Sequence, residues 1–287
     1  MKKTALLKSS IREIKQSPAR FFSILGIIFL GVAFFVGIGA TGPDMIQSAD
    51  NYYKKQQLSD ITLYSSLGFS EEDQTYLEKQ KNLEKVVPQY VLDMHLVEKN
   101  EVVRFYSLTD TMNVPVLESG KLPKEDEIVL DTRAKEYYKL GGTFEVQKSD
   151  DSENNLKQQQ YKIVGFATTP EFIDNAKRGN TNIGNGAIDY FALLPEEDFQ
   201  MDAYSRVLLS FKNVQTVTAY SDEYTKFMDK NKEQLEGWLE SRKQARLTEI
   251  KEAANRELEK NRKKIQEGEE QLKKAEQELK QAKEKLN

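Results

Sequence analysis

Residues 21–42 read FFSILGIIFLGVAFFVGIGATG, and this stretch decides how the rest of the chain is read. It contains no ionisable group. At about 1.5 Å rise per residue it makes a helix of roughly 33 Å, enough to cross the hydrocarbon core of a bilayer. The flank before it carries Lys2, Lys3, Lys8, Arg12, Lys15 and Arg20 against a single acid, Glu13. Basic residues stay on the cytoplasmic side, so the N-terminus is expected inside and residues 43–287 outside. A cleaved signal peptide is the competing reading, with Ala40-Thr41-Gly42 as a weak cleavage site. Its apolar region spans about 7–15 residues, shorter than this run. The Phe, Ile, Leu and Val residues here supply roughly −4 to −8 kcal/mol of gross insertion free energy, which favours a retained helix. Ala33, Gly37 and Thr41 recur every four residues and would let a second helix pack closely.

Working outward, residues 1–20 form a basic cytoplasmic segment in which Leu6, Leu7, Ile11 and Ile14 follow helical spacing, suited to the headgroup surface. Beyond the span, Pro43 opens a stalk over 43–57 in which Met45, Ile46, Ala49, Tyr52 and Tyr53 suggest a short helix. Residues 58–220 read as one mixed α+β domain. Ile61 and Leu63 mark a strand, and Ser70-Glu-Glu-Asp73 resembles a capping box starting a helix through Leu77. Tyr90, Leu92, Met94 and Leu96 alternate along a strand, and Lys99-Asn100 turns it back into 102–106. A strand at 127–130 is followed by a helix capped by Asp131 or Thr132 and running through Tyr138. Gly141-Gly142 leads into a strand at 144–146, and 148–160 is a polar loop. Further strands are expected at 161–166, 187–194 and 205–211. Gly179 to Gly186 (GNTNIGNG) is a loop of turn-formers, without the Gly-Lys-Ser/Thr ending of a phosphate loop.

From 221 to 287 the composition changes to a long charged helix. Leu258, Ile265, Leu272, Leu279 and Leu286 repeat at seven. Asn261, Gly268, Ala275 and Ala282 follow three residues after the first four. Large residues at one core position and small or polar ones at the other predict a coiled-coil seam, in a tight antiparallel hairpin. Such a seam needs a partner helix. The sequence contains none, so the expectation is an oligomer or, preferably, one arm of a hairpin in a longer polypeptide.

Composition narrows the chemistry. The formal charge is −4, and there is no cysteine and one histidine. Disulfides, thiolate metal sites and His-based zinc sites are excluded, and nothing points to nucleic acid. His95 falls in an alternating strand. Asp126, Glu127, Asp131, Glu171 and Asp174 have no spacing that marks a catalytic pair. No catalytic, cofactor-binding or metal-ligating residue is identified, and no cofactor is expected.

Several local strings resemble one known family. Ile11-Arg-Glu-Ile-Lys-Gln-Ser-Pro18-Ala-Arg20-Phe-Phe-Ser-Ile-Leu-Gly26 is similar to the entry into the first membrane helix of FtsX-like/MacB-like permeases. Gly120-Lys-Leu-Pro123, Glu127-Ile-Val-Leu130, Ala134, Leu140-Gly-Gly142 and Tyr161-Lys-Ile-Val-Gly165 resemble their extracytoplasmic core. The likeness covers roughly residues 10–215, and the helical extension looks like that of long Gram-positive relatives. It implies a permease of a mechanotransmitting ABC transporter in a bacterial cell membrane. Such a permease catalyses no bond chemistry and has a separate cytoplasmic ATPase as partner. The resemblance also implies further transmembrane helices or a second permease copy, lipid contacts, and an extracellular peptide, lipid or cell-wall hydrolase as partner. Gly120, Pro123, Gly142 and Gly165 are then turn and backbone-geometry positions. The alternative is a single-pass, membrane-anchored coiled-coil scaffold. The third class, an anchored enzyme, lacks any supporting spacing.

Overall fold

The computed structural model describes residues 3–96, 99–146, 155–173 and 178–286, with the backbone course alone for 3–7 and 277–286. Asp174, part of the 148–160 stretch, and the side chains of Leu6, Leu7, Leu279, Ala282 and Leu286 lie outside the described residues.

The basic segment is a helix, α1 (Lys3–Gln16), that ends where Ser17 leaves helical geometry and Pro18 restarts it. Proline suits that first position because its missing N–H has no partner there anyway. From it runs α2 (Pro18–Lys55), one unbroken helix containing both the apolar run and the stalk expected as a separate element, with Pro43 inside it. It is the one helix among the described residues long and apolar enough to span a membrane. The side chains of Phe29, Leu30, Phe34 and Phe35 are all exposed, as expected for a surface made for lipid rather than for a core.

The core is built on two sheets. The smaller has order β1-β10-β2, all antiparallel, from β1 (Ile61–Phe69), β2 (Leu83–Gln89) and β10 (Tyr204–Phe211). Behind it packs α3 (Glu71–Glu78), whose start carries a complete capping box. Asp73 N donates to Ser70 Oγ, and Ser70 N donates to Asp73 Oδ2 at 2.9 Å. The larger sheet has the order β3-β4-β9-β6-β8-β5. Its strands are β3 (Val91–Leu96), β4 (Glu101–Ser107), β5 (Val116–Gly120), β6 (Glu127–Asp131), β8 (Gln160–Thr168) and β9 (Tyr190–Leu194), and the short β7 (Thr143–Glu145) pairs with β8. The β4–β9 and β6–β8 pairings are parallel and the rest antiparallel. One face buries Val103, Phe105, Ile128, Leu130, Phe144, Ile163 and Tyr190, and the other Tyr106, Val129, Ala167 and Phe191. Covered on both sides, β4, β6, β8 and β9 are buried through most of their length.

Three expectations are corrected. The segment after β6 is a 3-10 turn (Thr132–Glu136), not an α-helix through Tyr138, although Asp131 does cap it, accepting from Arg133 N at 3.1 Å. The strand expected from Ala187 begins at Tyr190, and Ala187 makes only an isolated bridge to Asn180. The third concerns α4 (Asp222–Leu286), which was expected to be arm from its first residue. Its opening turns instead belong to the core: Met228 and Leu235 are buried against the small sheet with Leu77, Leu83 and Phe211. Tyr76 Oη donates to Trp238 O, and Arg242 Nε donates to Asp73 Oδ1 at 2.6 Å. From Lys251 to Glu276 every residue is exposed, and Leu258, Ile265 and Leu272 have no partner helix among the described residues.

Candidate functional site

The described residues hold no group of three His, Asp or Glu side chains that could bind a metal. What the fold assembles instead is a joint, where α2, both sheets and α4 meet. Its first layer is local. Helix α2 ends as Gln57 adopts a positive φ of 52°, and the chain turns into β1. Facing that turn, Asn113 N donates to Gln57 O and Val114 N to Gln56 O, both at 2.9 Å. The helix C-terminus leaves carbonyls without intrahelical partners, and these amides from a distant loop satisfy that of the C-cap residue Gln56 and that of Gln57 just beyond it. Lys85 Nζ, from β2, reaches the Gln57 side chain at 2.7 Å and Thr111 O at 3.1 Å.

A second layer ties α2 to the start of α4. Asp50 is buried, held by Lys54 Nζ at 2.8 Å on its own helix and by Ala219 N at 2.8 Å, just before α4. The Tyr53 and Tyr220 hydroxyls stand 3.3 Å apart. Ser221 caps α4 by accepting from Tyr224 N. The Tyr224 hydroxyl donates to Asp60, which also accepts from Phe211 N at 2.8 Å. Burial raises the Asp60 carboxyl above its ordinary range despite these two donors. Burial and the neighbouring Asp60 push the Tyr224 phenol up to about 12. A cleft of about 320 Å³ remains between these groups, lined by Asp50, Lys54, Asp60, Lys85, Ser210 and Tyr224.

The third layer is a buried ionic network linking the joint to both sheets. Asn113 Oδ1 accepts from Ser59 N at 2.7 Å, and its amide donates to Glu171 Oε1 at 2.8 Å. Glu171 takes both ends of Arg206, at 2.7 and 2.6 Å. Arg206 lies on β10 of the small sheet with its side chain 1% exposed. Its Nε donates to Gln89 at 2.7 Å, and Gln89 donates to Ser107 O of the large sheet at 2.6 Å. Its guanidinium stacks 4.5 Å from the Tyr106 ring centroid. The carboxylate and the tyrosines hold Arg206 charged against the pull of desolvation, and burial raises the Tyr106 phenol. A charge this deep is tolerable only because every direction of the guanidinium is met.

The sequence-predicted residues fall elsewhere. Ala33, Gly37 and Thr41 line an exposed stripe on α2, where Thr41 Oγ1 donates back to Gly37 O at 2.8 Å. Ala275 is exposed on α4. Gly120 on β5 and Gly165 on β8 sit opposite one another in register. Gly120 has φ +84°, and a Cβ there would stand 2.0 Å from Val164 O. Pro123 is buried just beyond β5, and the Gly142 carbonyl accepts from Ile163 N. His95 is a β3 residue whose ring nitrogen meets Asn100 Oδ1 at 3.1 Å. Of the carboxylates, Asp131 pairs with Arg178 in a buried contact, Glu127 with Lys121, and Glu171 with Arg206. Sequence reading missed Asn113, Gln89 and Arg206 altogether. The one signal available was a lone arginine inside the strongly apolar SRVLLSF.

No protein-family model matches the chain, and no curated protein does. Among solved structures, the chain is similar to the extracellular domain of the noncanonic ABC-type transporter YknZ from Gram-positive bacteria. That match has 13% identity and a TM-score of 0.30, covering 59% of this chain and 92% of that one. It is also similar to the periplasmic region of MacB from Actinobacillus actinomycetemcomitans, with 16% identity and a TM-score of 0.32, covering 61% and 76%.

Proposed function

We propose that this chain is a membrane subunit of an ABC transporter, in which motion produced by a cytoplasmic ATPase is carried through α2 to an extracellular core and onward into α4. The observation that carries this reading is the joint. One unbroken helix runs from the apolar span to Lys55, and its end is bonded to the β1 turn, the 111–114 loop and the residues just before α4. Helices are stiff along their axes, and closely packed interiors transmit strain with little compression. A displacement of α2 therefore reaches both sheets and the base of the arm together. Beyond the core, α4 continues from Lys251 to Leu286, roughly 54 Å if straight. A small motion at its base becomes a large one at its tip. The partners on this reading are the ATPase, membrane lipid, further transmembrane helices or a second permease copy, and an extracellular peptide, lipid or cell-wall hydrolase. The motifs quoted above support the family, and the six basic residues before the span support a cytoplasmic N-terminus.

The absence of cysteine makes the first test clean. Lys8→Cys and Ile173→Cys place single thiols on exposed sites, one on either side of the apolar span. A membrane-impermeant maleimide applied to intact cells should label Ile173→Cys and spare Lys8→Cys. The reverse pattern overturns the orientation. For the coupling, spin labels at Met45→Cys and Tyr137→Cys in vesicles containing the partner ATPase should keep one distance through turnover. A distance that changes would show α2 sliding against the core, which is incompatible with transmission through the joint.

A further inference from the structure

We propose that the cleft at the joint binds a small zwitterion, of the class of the free α-amino acids, between Asp60 and Lys85. These two residues stand at opposite ends of one row across the small sheet. Ser210 on β10 is paired with Lys85 on β2. On its other side, Ile61 of β1 stands opposite Leu209, so the residue before it, Asp60, comes beside Ser210, and Asp60 N donates to Leu209 O at 2.8 Å. Residues directly opposite in an antiparallel sheet share one face. All three line the cleft of about 320 Å³. With strands about 4.8 Å apart, the Cα atoms of Asp60 and Lys85 are about 10 Å from each other.

Each member of the row lacks a partner that would complete it. The Asp60 carboxylate accepts from Phe211 N at 2.8 Å and from the Tyr224 hydroxyl at 3.3 Å, both neutral donors. The Lys85 ammonium donates to the Gln57 side chain and to Thr111 O, both neutral acceptors, and has a third proton to give. Neither charge forms an ion pair among the described residues, with the other or with a third group. In the same cleft Asp50 and Lys54 neutralise one another at 2.8 Å. Between the two unpaired charges, the Ser210 hydroxyl is buried without a hydrogen-bond partner, a position that calls for one. Burial raises the Asp60 carboxyl, and an ammonium is the counter-charge that its neutral donors do not provide.

The occupant that completes all three carries both charges. Its ammonium meets Asp60, its carboxylate meets Lys85, and the Ser210 hydroxyl can bond to either. A cation alone would leave Lys85 unmet, and an anion alone would leave Asp60 unmet. Size points the same way, since the cleft sits at the lower end of the range for small ligands, about 300–1,000 Å³. Position argues against a lipid headgroup. From Gly42 to Lys54, α2 rises roughly 18 Å if upright, whereas headgroups reach only about 5–8 Å beyond the hydrocarbon. The ligand is therefore a free solute. On the transporter reading it would brace β1 against β2 at the end of α2. That consequence rests on the reading, whereas binding is measured on the chain alone, so the two fail separately.

The test uses the full chain in detergent micelles, with the common L-amino acids offered singly at millimolar concentration. The one that binds should raise Tm by about 3–6 °C at about ten times its dissociation constant. Its N-acetyl derivative and its amide each lack one charge, and each should bind at least about tenfold more weakly by calorimetry. Asp60→Asn and Lys85→Met should weaken the parent amino acid to the same extent. Ser210→Ala removes a hydroxyl that has no partner, so folding is spared, and binding should weaken about threefold to tenfold. Three results overturn the proposal. If no L-amino acid shifts Tm or gives heat, an ordered water is the partner of Ser210. If the N-acetyl derivative and the amide bind as well as the parent, the site does not read both charges. If binding is equal in wild type and all three variants, the ligand sits elsewhere.

Discussion

Replacing Glu171 by alanine tests the joint where its energetics are most exposed. The Arg206 side chain is 1% exposed, and four donor contacts hold it: one to Gln89, one to Tyr64 and two to Glu171. Glu171→Ala removes both charge-assisted bonds and leaves the guanidinium buried with neutral partners only. Breaking a buried pair in this way costs about 3–5 kcal/mol, because the remaining charge keeps its desolvation penalty and loses its counter-ion. Glu171 is itself 19% exposed, so water entering its place recovers part of that. Asn113 loses an acceptor as well, at about 1 kcal/mol. The net expectation is about 3–4 kcal/mol.

Trp238 is the single tryptophan and packs on the small-sheet cluster, so its fluorescence reports the unfolding of the unit that contains Arg206. With a urea slope of about 2 kcal/mol/M, the midpoint of Glu171→Ala should fall by about 1.5–2 M. Glu171→Gln keeps an acceptor but no charge and should lie between the two. The double variant Arg206→Met with Glu171→Leu should recover most of the loss, since an apolar pair of similar volume strands no charge. A Glu171→Ala midpoint within about 0.3 M of wild type would refute the reasoning. So would a double variant as unstable as the single one, because the cost would then come from packing.

The other expectations concern separate parts of the chain. Asp198 favours its protonated form in the folded state, with a pKa near 6 against an ordinary value near 3.9. Its contribution is therefore complete below about pH 4 and is lost as pH rises through 6. Asp198→Asn should gain on wild type between pH 4 and 7 by about 1–2 kcal/mol after allowance for solvent screening; parallel denaturation curves at the two pH values would disprove it. Gly120→Ala should cost at least about 2 kcal/mol, since a Cβ meets backbone at 2.0 Å. Gly141→Ala, at a similar φ of +83° with open space around it, should cost about 1 kcal/mol, and equal midpoints would show that the close approach is unimportant. Leu272→Pro should reduce helical circular dichroism, removing a helical hydrogen bond at about 3 kcal/mol, while leaving the Trp238-detected midpoint unchanged, because residue 272 lies far past the turns that pack on the core. A shifted midpoint would mean the arm and the core unfold as one.

Features that repeat locally were legible in the sequence. The charge-free run at 21–42, the capping box at Ser70 and the alternation from Tyr90 to Leu96 each announce themselves within a few residues. Strands β2 and β5 did not, because LEKVVPQ and VLESG mix charge, proline and glycine into segments whose pairing is decided by their neighbours. The opening of α4 was misassigned for a similar reason. Met228 and Leu235 are spaced by seven but are out of phase with Leu258, Ile265 and Leu272, so one helix presents one face to the core and another beyond it. The joint was invisible because its bonds span the chain: Arg206 and Gln89 are 117 residues apart, and Asp50 and Ala219 are 169. No local pattern encodes such pairs.

The polar character of the joint bears on what it can transmit. An apolar contact between α2 and the core would be non-directional, and could slide or roll at little cost. The Asn113–Glu171–Arg206–Gln89 chain is satisfied in one geometry only, since shifting any member strands a buried donor or the guanidinium charge. Sliding α2 out of register would forfeit the bonds of Asn113 N to Gln57 O, Val114 N to Gln56 O and Ala219 N to Asp50, at about 1 kcal/mol or more each. Movement of the membrane helix by an amount that leaves this chain intact therefore has to take the two sheets with it. Because Asp50 holds Ala219, just before α4 begins, the arm has to follow the same displacement.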